Sequence, residues 1–121
     1  MRMYVLALAL AGAVGFVEAP AQEPSCLHGP KETGEQRDRR MAALDFARQL
    51  NTFEAAGKSQ AQRYYAIEDL PGLPKLPEGM KAAIATDGAS YTFSIKDTLD
   101  ACHFAYFSDQ DGVIYTATPI R

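Results

Sequence analysis

Apolar residues between positions 33 and 57 recur at steps of three and four, which places them on one face of a helix. The stripe consists of Ala43, Phe46, Ala47, Leu50, Phe53 and Ala56. Thr33 followed by Gln36 fits a capping box, and Gly57 stands where a left-handed C-terminal cap is favoured. We therefore predict one amphipathic helix over residues 33–57, packed on a core through this stripe. Its basic residues Arg37, Arg39 and Arg40 are predicted to be solvated.

The segment after Gly57 lacks a long periodic pattern. Residues 58–65 predict a further short turn of helix, with Ser59 as its cap. Three prolines follow at positions 71, 74 and 77, which exclude both a helix and a central strand. We predict an ordered crossing loop, held to the core by Leu70, Leu73 and Leu76.

The C-terminal part of the chain has the period of strands. Residues 80–86 alternate weakly, residues 90–96 alternate clearly, and residues 102–107 are apolar on both faces, as in a more central strand. A final strand is predicted over residues 113–118. Turns are predicted at Asp87-Gly88 and over residues 108–112. The pattern predicts an α+β fold in which one long N-terminal helix packs on a three- to four-stranded antiparallel meander sheet.

The N-terminus has the pattern of a secretory signal peptide. A short basic start precedes an apolar run over residues 4–17, and small residues follow at Ala19 and Ala21. The run is shorter than the roughly twenty apolar residues that span a membrane. We predict a signal peptide over residues 1–21, an extended arm over 22–32 and a single domain over 33–121. The expected location is periplasmic or secreted, with no membrane span after cleavage.

Net charge further restricts the class of partner. The chain of 121 residues has a formal net charge of −3, which disfavours the concentrated basic surface of a nucleic-acid-binding protein. No serine lies in a nucleophile elbow and no glycine-rich phosphate loop is present. We therefore predict no catalytic residues and no cofactor.

Cys26 and Cys102 are the two cysteines of the chain. In an exported protein an even number favours a disulfide, which would close a loop of about 75 residues and contribute roughly 4 kcal/mol at most. Two unpaired thiols are the alternative. His28 and His103 lie close to the cysteines, so a zinc site is a second alternative. It is disfavoured because neighbours in a strand point to opposite faces, and no metal site is predicted.

Other polar clusters are better explained by structure than by chemistry. The loop over residues 108–112 has oxygen ligands, but Ile120 occupies the place where a calcium loop has its twelfth, acidic ligand. A turn stabilised by aspartate side chains is the prediction. The acids Glu68 and Asp69 have no identifiable partner in the sequence. Tyrosines are numerous, and they suit a helix–sheet core as readily as a binding surface: Tyr64, Tyr65, Tyr91, Tyr106 and Tyr115.

Four segments together resemble type IV pilin-like and major-pseudopilin-like proteins. They are ALDFARQLNTFEAA at residues 43–56, YYAIEDL at 64–70, DGASYTF at 87–93 and FSDQDGVI at 107–114. The resemblance covers roughly residues 40–115, and the helix string carries most of it. It implies a pilin-like globular domain of the kind found in exported bacterial proteins. The chain departs from pilins in lacking their processing site and the long apolar helix continuous with the domain.

Export, fold pattern and resemblance together predict a non-enzymatic domain that acts as an interaction or accessory protein of the cell envelope, with a protein partner. Two alternatives stay open. One is a small metal-binding protein or hydrolase that uses His28 and His103. The other is a genuine pseudopilin subunit of a secretion or pilus system.

Overall fold

The computed structural model of the chain describes residues 15, 32–100 and 104–117. One long helix, α1, is followed by a short 3-10 helix and four strands: α1 (Gly34–Ala61), the 3-10 helix (Ile67–Asp69), β1 (Met80–Thr86), β2 (Tyr91–Asp97), β3 (Ala105–Asp109) and β4 (Tyr115–Ala117). Each strand pairs antiparallel with the next, in the order β1-β2-β3-β4. The helix packs on one face of this sheet, so the predicted α+β architecture is confirmed.

The start of α1 is the capping box that the sequence predicts. Thr33 Oγ1 accepts a hydrogen bond from the Gln36 backbone N–H at 3.1 Å, and Gln36 Oε1 accepts one from the Thr33 backbone N–H at 3.0 Å. Two N–H groups that a helix start leaves unpaired are satisfied in this way. The segment before the box, residues 1–31, lies outside the described residues apart from Gly15, and with it the predicted signal peptide and most of the arm.

The predicted end of the helix at Gly57 is wrong. Residues 58–61 continue α1 rather than forming a separate turn capped by Ser59, and the left-handed cap is Gln62, with φ 62°. Gly57 is instead a buried helical residue, and a Cβ added there would lie 2.8 Å from ring atoms of Tyr65. A glycine at this position is explained by close packing, not by helix termination.

The core lies between α1 and the inner face of the sheet. Its buried apolar residues are Ala43, Phe46, Ala47 and Leu50 from the helix, and Leu70, Met80, Tyr91, Phe93, Ile95, Phe104 and Tyr106 from the rest of the chain. The helical stripe differs from the prediction at its C-terminal end. Ala56 is exposed and Phe53 only partly buried, whereas Glu54 and Gly57 are buried. The buried face of α1 thus includes the carboxyl group of Glu54, which a pattern of apolar residues does not detect.

The proline-containing segment has the predicted anchoring. Leu70 is buried, and Leu73 and Leu76 pack against the core as partly buried residues. These contacts hold the crossing from the C-terminal end of α1 to the start of β1.

β1 has the predicted bounds, and the boundaries of the other three strands differ from the predicted ones by one to three residues where they are described. β2 buries every second residue from Tyr91 to Asp97, so it extends one position beyond the predicted end and finishes on a buried carboxylate. β3 runs to Asp109, and β4 has three residues. Within the described residues, no helix is both long enough and apolar enough to cross a membrane.

Candidate functional site

The cysteines and histidines that the sequence offers for chemistry lie outside the described residues. Cys26, His28, Cys102 and His103 all lie outside the described residues, and so do the predicted disulfide and its zinc alternative. Within residues 32–100 and 104–117, no group of three or more His, Cys, Asp or Glu side chains is arranged to hold a metal ion.

The aspartate-rich loops are turns in which carboxylates satisfy backbone N–H groups. Asp109 Oδ1 accepts from the Asp111 N–H at 3.0 Å, and Asp87 Oδ1 accepts from the N–H groups of Ala89 and Ser90 at 2.9 and 2.8 Å. The hydrogen bonds from Ser90 and Ala89 hold the pKa of Asp87 below its ordinary value. Their geometry accounts for these acids as structural groups.

The outer face of the sheet, which points away from α1, exposes two large aromatic side chains, Phe107 and Tyr115. Strand register arranges it in three rows across the sheet. The middle row is Ala83, Ser94, Phe107 and Tyr115, each paired with the next. Small side chains therefore lie on β1 and β2, and large aromatic ones on β3 and β4. We call this middle row, with Ala85 and Thr92 beside it, the aromatic trough.

The aromatic trough is a shallow cleft of about 480 Å³. Its wall is the ring pair of Phe107 and Tyr115, whose centroids lie 5.3 Å apart with the planes at 20°. These side chains are 44% and 51% exposed. The rings on the inner face, Phe93 and Tyr106, are almost fully buried. An exposed aromatic pair on an otherwise ordinary sheet marks a surface suited to contact with another molecule.

The row next to the trough carries positive charge. Lys81 of β1 lies directly opposite Lys96 of β2, and Ala105 and Ala117 complete the row on β3 and β4. Both lysines are exposed. We call these two residues the lysine pair. The third row, on the other side of the middle row, contains Ala85 and Thr92 and ends at Asp109, which is opposite Thr92.

Two carboxyl side chains are buried at opposite ends of the helix–sheet interface. At the N-terminal end, Asp97 is 3% exposed and accepts from Arg39 Nε at 2.9 Å and from the Leu99 and Asp100 N–H groups. Burial raises the pKa of Asp97, but the hydrogen bonds from Arg39 and the backbone outweigh burial and bring that pKa below its ordinary value. Asp97 is therefore ionised and joins β2 to α1.

At the other end, Glu54 is fully buried. Its Oε2 accepts from the Tyr65 N–H at 2.9 Å, whereas Oε1 has no hydrogen-bond partner among the described residues. Burial raises the pKa of Glu54, and the single backbone hydrogen bond offsets this only in part. Glu54 thus joins α1 to the segment that leaves it.

The arginines near the helix start are partly paired, contrary to the prediction that they are solvated. Arg39 binds Asp97, and Arg40 Nε lies 2.8 Å from Glu32 Oε1. Arg37 is exposed, as predicted. The pairing arises because Arg39 and Arg40 lie at the edge of the buried stripe of α1, so their side chains reach the end of β2 and the chain before the helix.

A polar chain of hydrogen bonds joins the middle of α1 to the sheet. The Tyr91 hydroxyl donates to Asn51 Oδ1 at 2.6 Å, Asn51 Nδ2 donates to Ser108 Oγ at 3.1 Å, and Ser108 Oγ donates to the Val113 carbonyl at 2.7 Å. Every side chain in it has its partner within the fold. These hydrogen bonds therefore fix the position of the helix on the sheet.

A second cleft, of about 540 Å³, lies at the C-terminal end of α1 beside the Asp87-Gly88 turn. Its cations lie on aromatic rings: Lys58 Nζ is 5.2 Å from the Tyr64 ring centroid, and the Arg63 guanidinium is 4.7 Å from that of Tyr65. Lys58 also donates to the Gln62 carbonyl. Lys58 and Arg63 are therefore engaged in contacts that stabilise the C-terminal end of the helix.

Sequence reasoning missed the lysine pair and the aromatic trough as surfaces. It left open whether Tyr115 serves the core or a binding surface, and Tyr115 is half exposed. The signal that could have found these surfaces is register. If β1 and β2 are joined by the four-residue turn 87–90, Lys81 and Lys96 face each other on the outer side.

A scan against protein-family models and searches of curated proteins and of solved structures found no match to this chain. The resemblance to pilin-like proteins stays a prediction.

Proposed function

We propose that this chain is an exported, non-enzymatic domain of the cell envelope that binds a protein partner through the aromatic trough. The observation that carries the proposal is the exposed ring pair of Phe107 and Tyr115 beside a floor of small side chains. Aromatic residues on such a floor are typical of the anchors that dominate protein interfaces.

Several features support an interaction role over catalysis. The buried carboxyls Asp97 and Glu54 both hold backbone N–H groups of the fold, and neither lines the trough. The trough is lined by apolar and small hydroxyl side chains, apart from Asp109 at its end. Export rests on the N-terminal pattern of residues 1–21, and the pilin-like resemblance favours the same class.

Site-specific photo-crosslinking tests the proposal. A photoreactive phenylalanine derivative placed at Ser94, in the floor of the trough, is expected to crosslink a defined envelope protein in intact cells. The matched control places the same group at Gln60, an exposed residue of α1. The adduct from Ser94 should be lost in the Phe107→Ala background, because the ring pair is the expected anchor.

Equal crosslinking from Ser94 and Gln60, or an adduct that persists without the Phe107 ring, would refute the trough as the binding surface. Mass spectrometry of the mature N-terminus tests export separately. A start near Gln22 is expected, whereas an intact residue 1 in the envelope fraction would contradict cleavage.

A further inference from the structure

The lysine pair lowers the stability of the domain when no ligand is bound. Like charges directly opposite each other on neighbouring strands are destabilising, and Lys81 and Lys96 are in this relation. No carboxylate of the described residues forms an ion pair or hydrogen bond with either of them. Within the four strands, the acid on the same face is Asp109, which lies four residues beyond Ala105, the partner of Lys96. At the rise of a strand this is about 13 Å, too far for a direct contact.

The position of the lysine pair relative to the trough defines a spacing. The two rows are separated by two residues along each strand, or about 7 Å. A ligand that uses both rows must carry an anionic group and an apolar group about that far apart. Residues i and i+4 of a helix, or i and i+2 of a strand, have this separation on one face.

We propose that the outer face binds an acidic amphipathic segment of a partner protein, with a carboxylate on the lysine pair and an apolar side chain in the aromatic trough. This inference rests on the proposed function and specifies the chemistry of its partner. The positive row stands out on a chain with a formal net charge of −3. Charge complementarity at this edge therefore selects and orients an acidic segment more than it adds to affinity.

Two other occupants would use part of the same face. Nucleic acid binds exposed rings by base stacking, but Phe107 and Tyr115 stack on each other, so one face of each ring is already covered. A second copy of this chain would offer Asp109 as the acid on the same face, at the end opposite to the lysine pair. Both occupants are outcomes that the following experiment distinguishes.

The experiment selects binders from random displayed peptides of about twelve residues, with the purified full chain as the target. We expect enrichment of Asp or Glu with a large apolar residue at a spacing of two or four. Fluorescence polarisation with the best peptide then measures affinity for the variants Lys81→Gln and Lys96→Gln. Each is expected to weaken binding about fivefold at low salt, corresponding to roughly 1 kcal/mol. The matched control is Lys75→Gln, an exposed lysine of the proline-containing loop, which should leave affinity unchanged.

The variants should keep or raise the melting temperature, because each removes one member of a repulsive pair. A loss of affinity therefore cannot be attributed to unfolding. Selection of basic peptides, affinity insensitive to both lysine substitutions, or failure to select any peptide would overturn the inference. So would competition by a single-stranded oligonucleotide, or self-association of the chain that Phe107→Ala abolishes.

The outcomes separate this inference from the proposed function. If Ser94 crosslinks a partner through Phe107 while Lys81→Gln and Lys96→Gln have no effect, the trough binds protein but the acidic chemistry is wrong. If Ser94 and Gln60 behave alike, the proposed function itself fails.

Discussion

Asp97 and Glu54 are equally buried, yet burial has opposite consequences at the two ends of the helix–sheet interface. Asp97 accepts hydrogen bonds from the Arg39 guanidinium and from two backbone N–H groups, and its pKa falls. Glu54 accepts a described hydrogen bond from the Tyr65 N–H alone, and its pKa rises. The comparison shows that the supply of hydrogen-bond donors decides the direction in which the pKa of a buried carboxyl shifts.

The two carboxyls also make stability depend on pH in opposite directions at the two ends of the interface. The pKa of Asp97 is lowered by folding, so its contribution to stability is present above its unfolded value of about 3.9 and is lost as pH falls through the folded value. The pKa of Glu54 is raised by folding, so its contribution is full below about 4.3 and is lost as pH rises through the folded value. The two groups therefore favour opposite sides of pH 4.

Removing the charge of Asp97 has the largest expected effect. Asp97→Asn loses the ion pair and leaves the partly buried Arg39 without its carboxylate, so we expect the free energy of unfolding at pH 7 to fall by about 2–4 kcal/mol. Urea denaturation followed by circular dichroism measures this loss. The control is Asp45→Asn, which removes an exposed pair with Arg48 and should change stability by less than about 0.5 kcal/mol. Similar losses in both variants would show that the Asp97 pair is no stronger than a surface pair.

Glu54→Gln is the second change. The amide oxygen can still accept from the Tyr65 N–H, but the side chain no longer ionises, so we expect the variant to be more stable than the native chain by about 1–3 kcal/mol at pH 8. The two proteins should converge near pH 4, where Glu54 is protonated. Thermal melts across this pH range measure the difference. A constant difference at all pH values would contradict a raised pKa at Glu54.

Gly57→Ala is the third change. It acts indirectly on the Tyr65 N–H, which donates a hydrogen bond to Glu54. The new Cβ would lie 2.8 Å from the Tyr65 ring, so the ring must move and with it the segment whose N–H binds Glu54. We expect a loss of about 1 kcal/mol even though alanine favours helix by a similar amount. Gly34→Ala is the control, because a Cβ there meets no atom within 4 Å. Chemical denaturation of both variants measures the comparison, and a stabilising Gly57→Ala would show that the ring moves at no cost.

The fold could be predicted from the sequence because local signals and periodicity agree with each other. The Thr33–Gln36 capping box gives the start of α1, and the period-two pattern of residues 91–97 gives the best-defined strand. The proline-containing loop was located by residues that exclude any regular alternative. Each of these features depends on neighbours along the chain, which a sequence displays directly.

The missed features depend on residues that are distant in the sequence. Gly57 resembles a helix cap until Tyr65 is placed against it, and Glu54 resembles a solvated acid until the fold buries it. Asp97 acquires its role from Arg39, which lies 58 positions away. The lysine pair requires the register of β1 on β2. Burial and pairing of polar groups depend on the tertiary structure, and the pattern of apolar residues does not predict them.

The meander order of the sheet has a consequence for how the chain folds. Every strand pairs with its neighbour in sequence, so the sheet can assemble by successive closure of short loops, at small entropic cost. Docking of the helix is different, since Arg39 to Asp97 and Asn51 to Ser108 each join residues more than 50 apart. Contacts of such separation slow folding. The late step in folding is thus expected to be the arrival of the helix on a preassembled sheet, with the Arg39–Asp97 bond among the last to form.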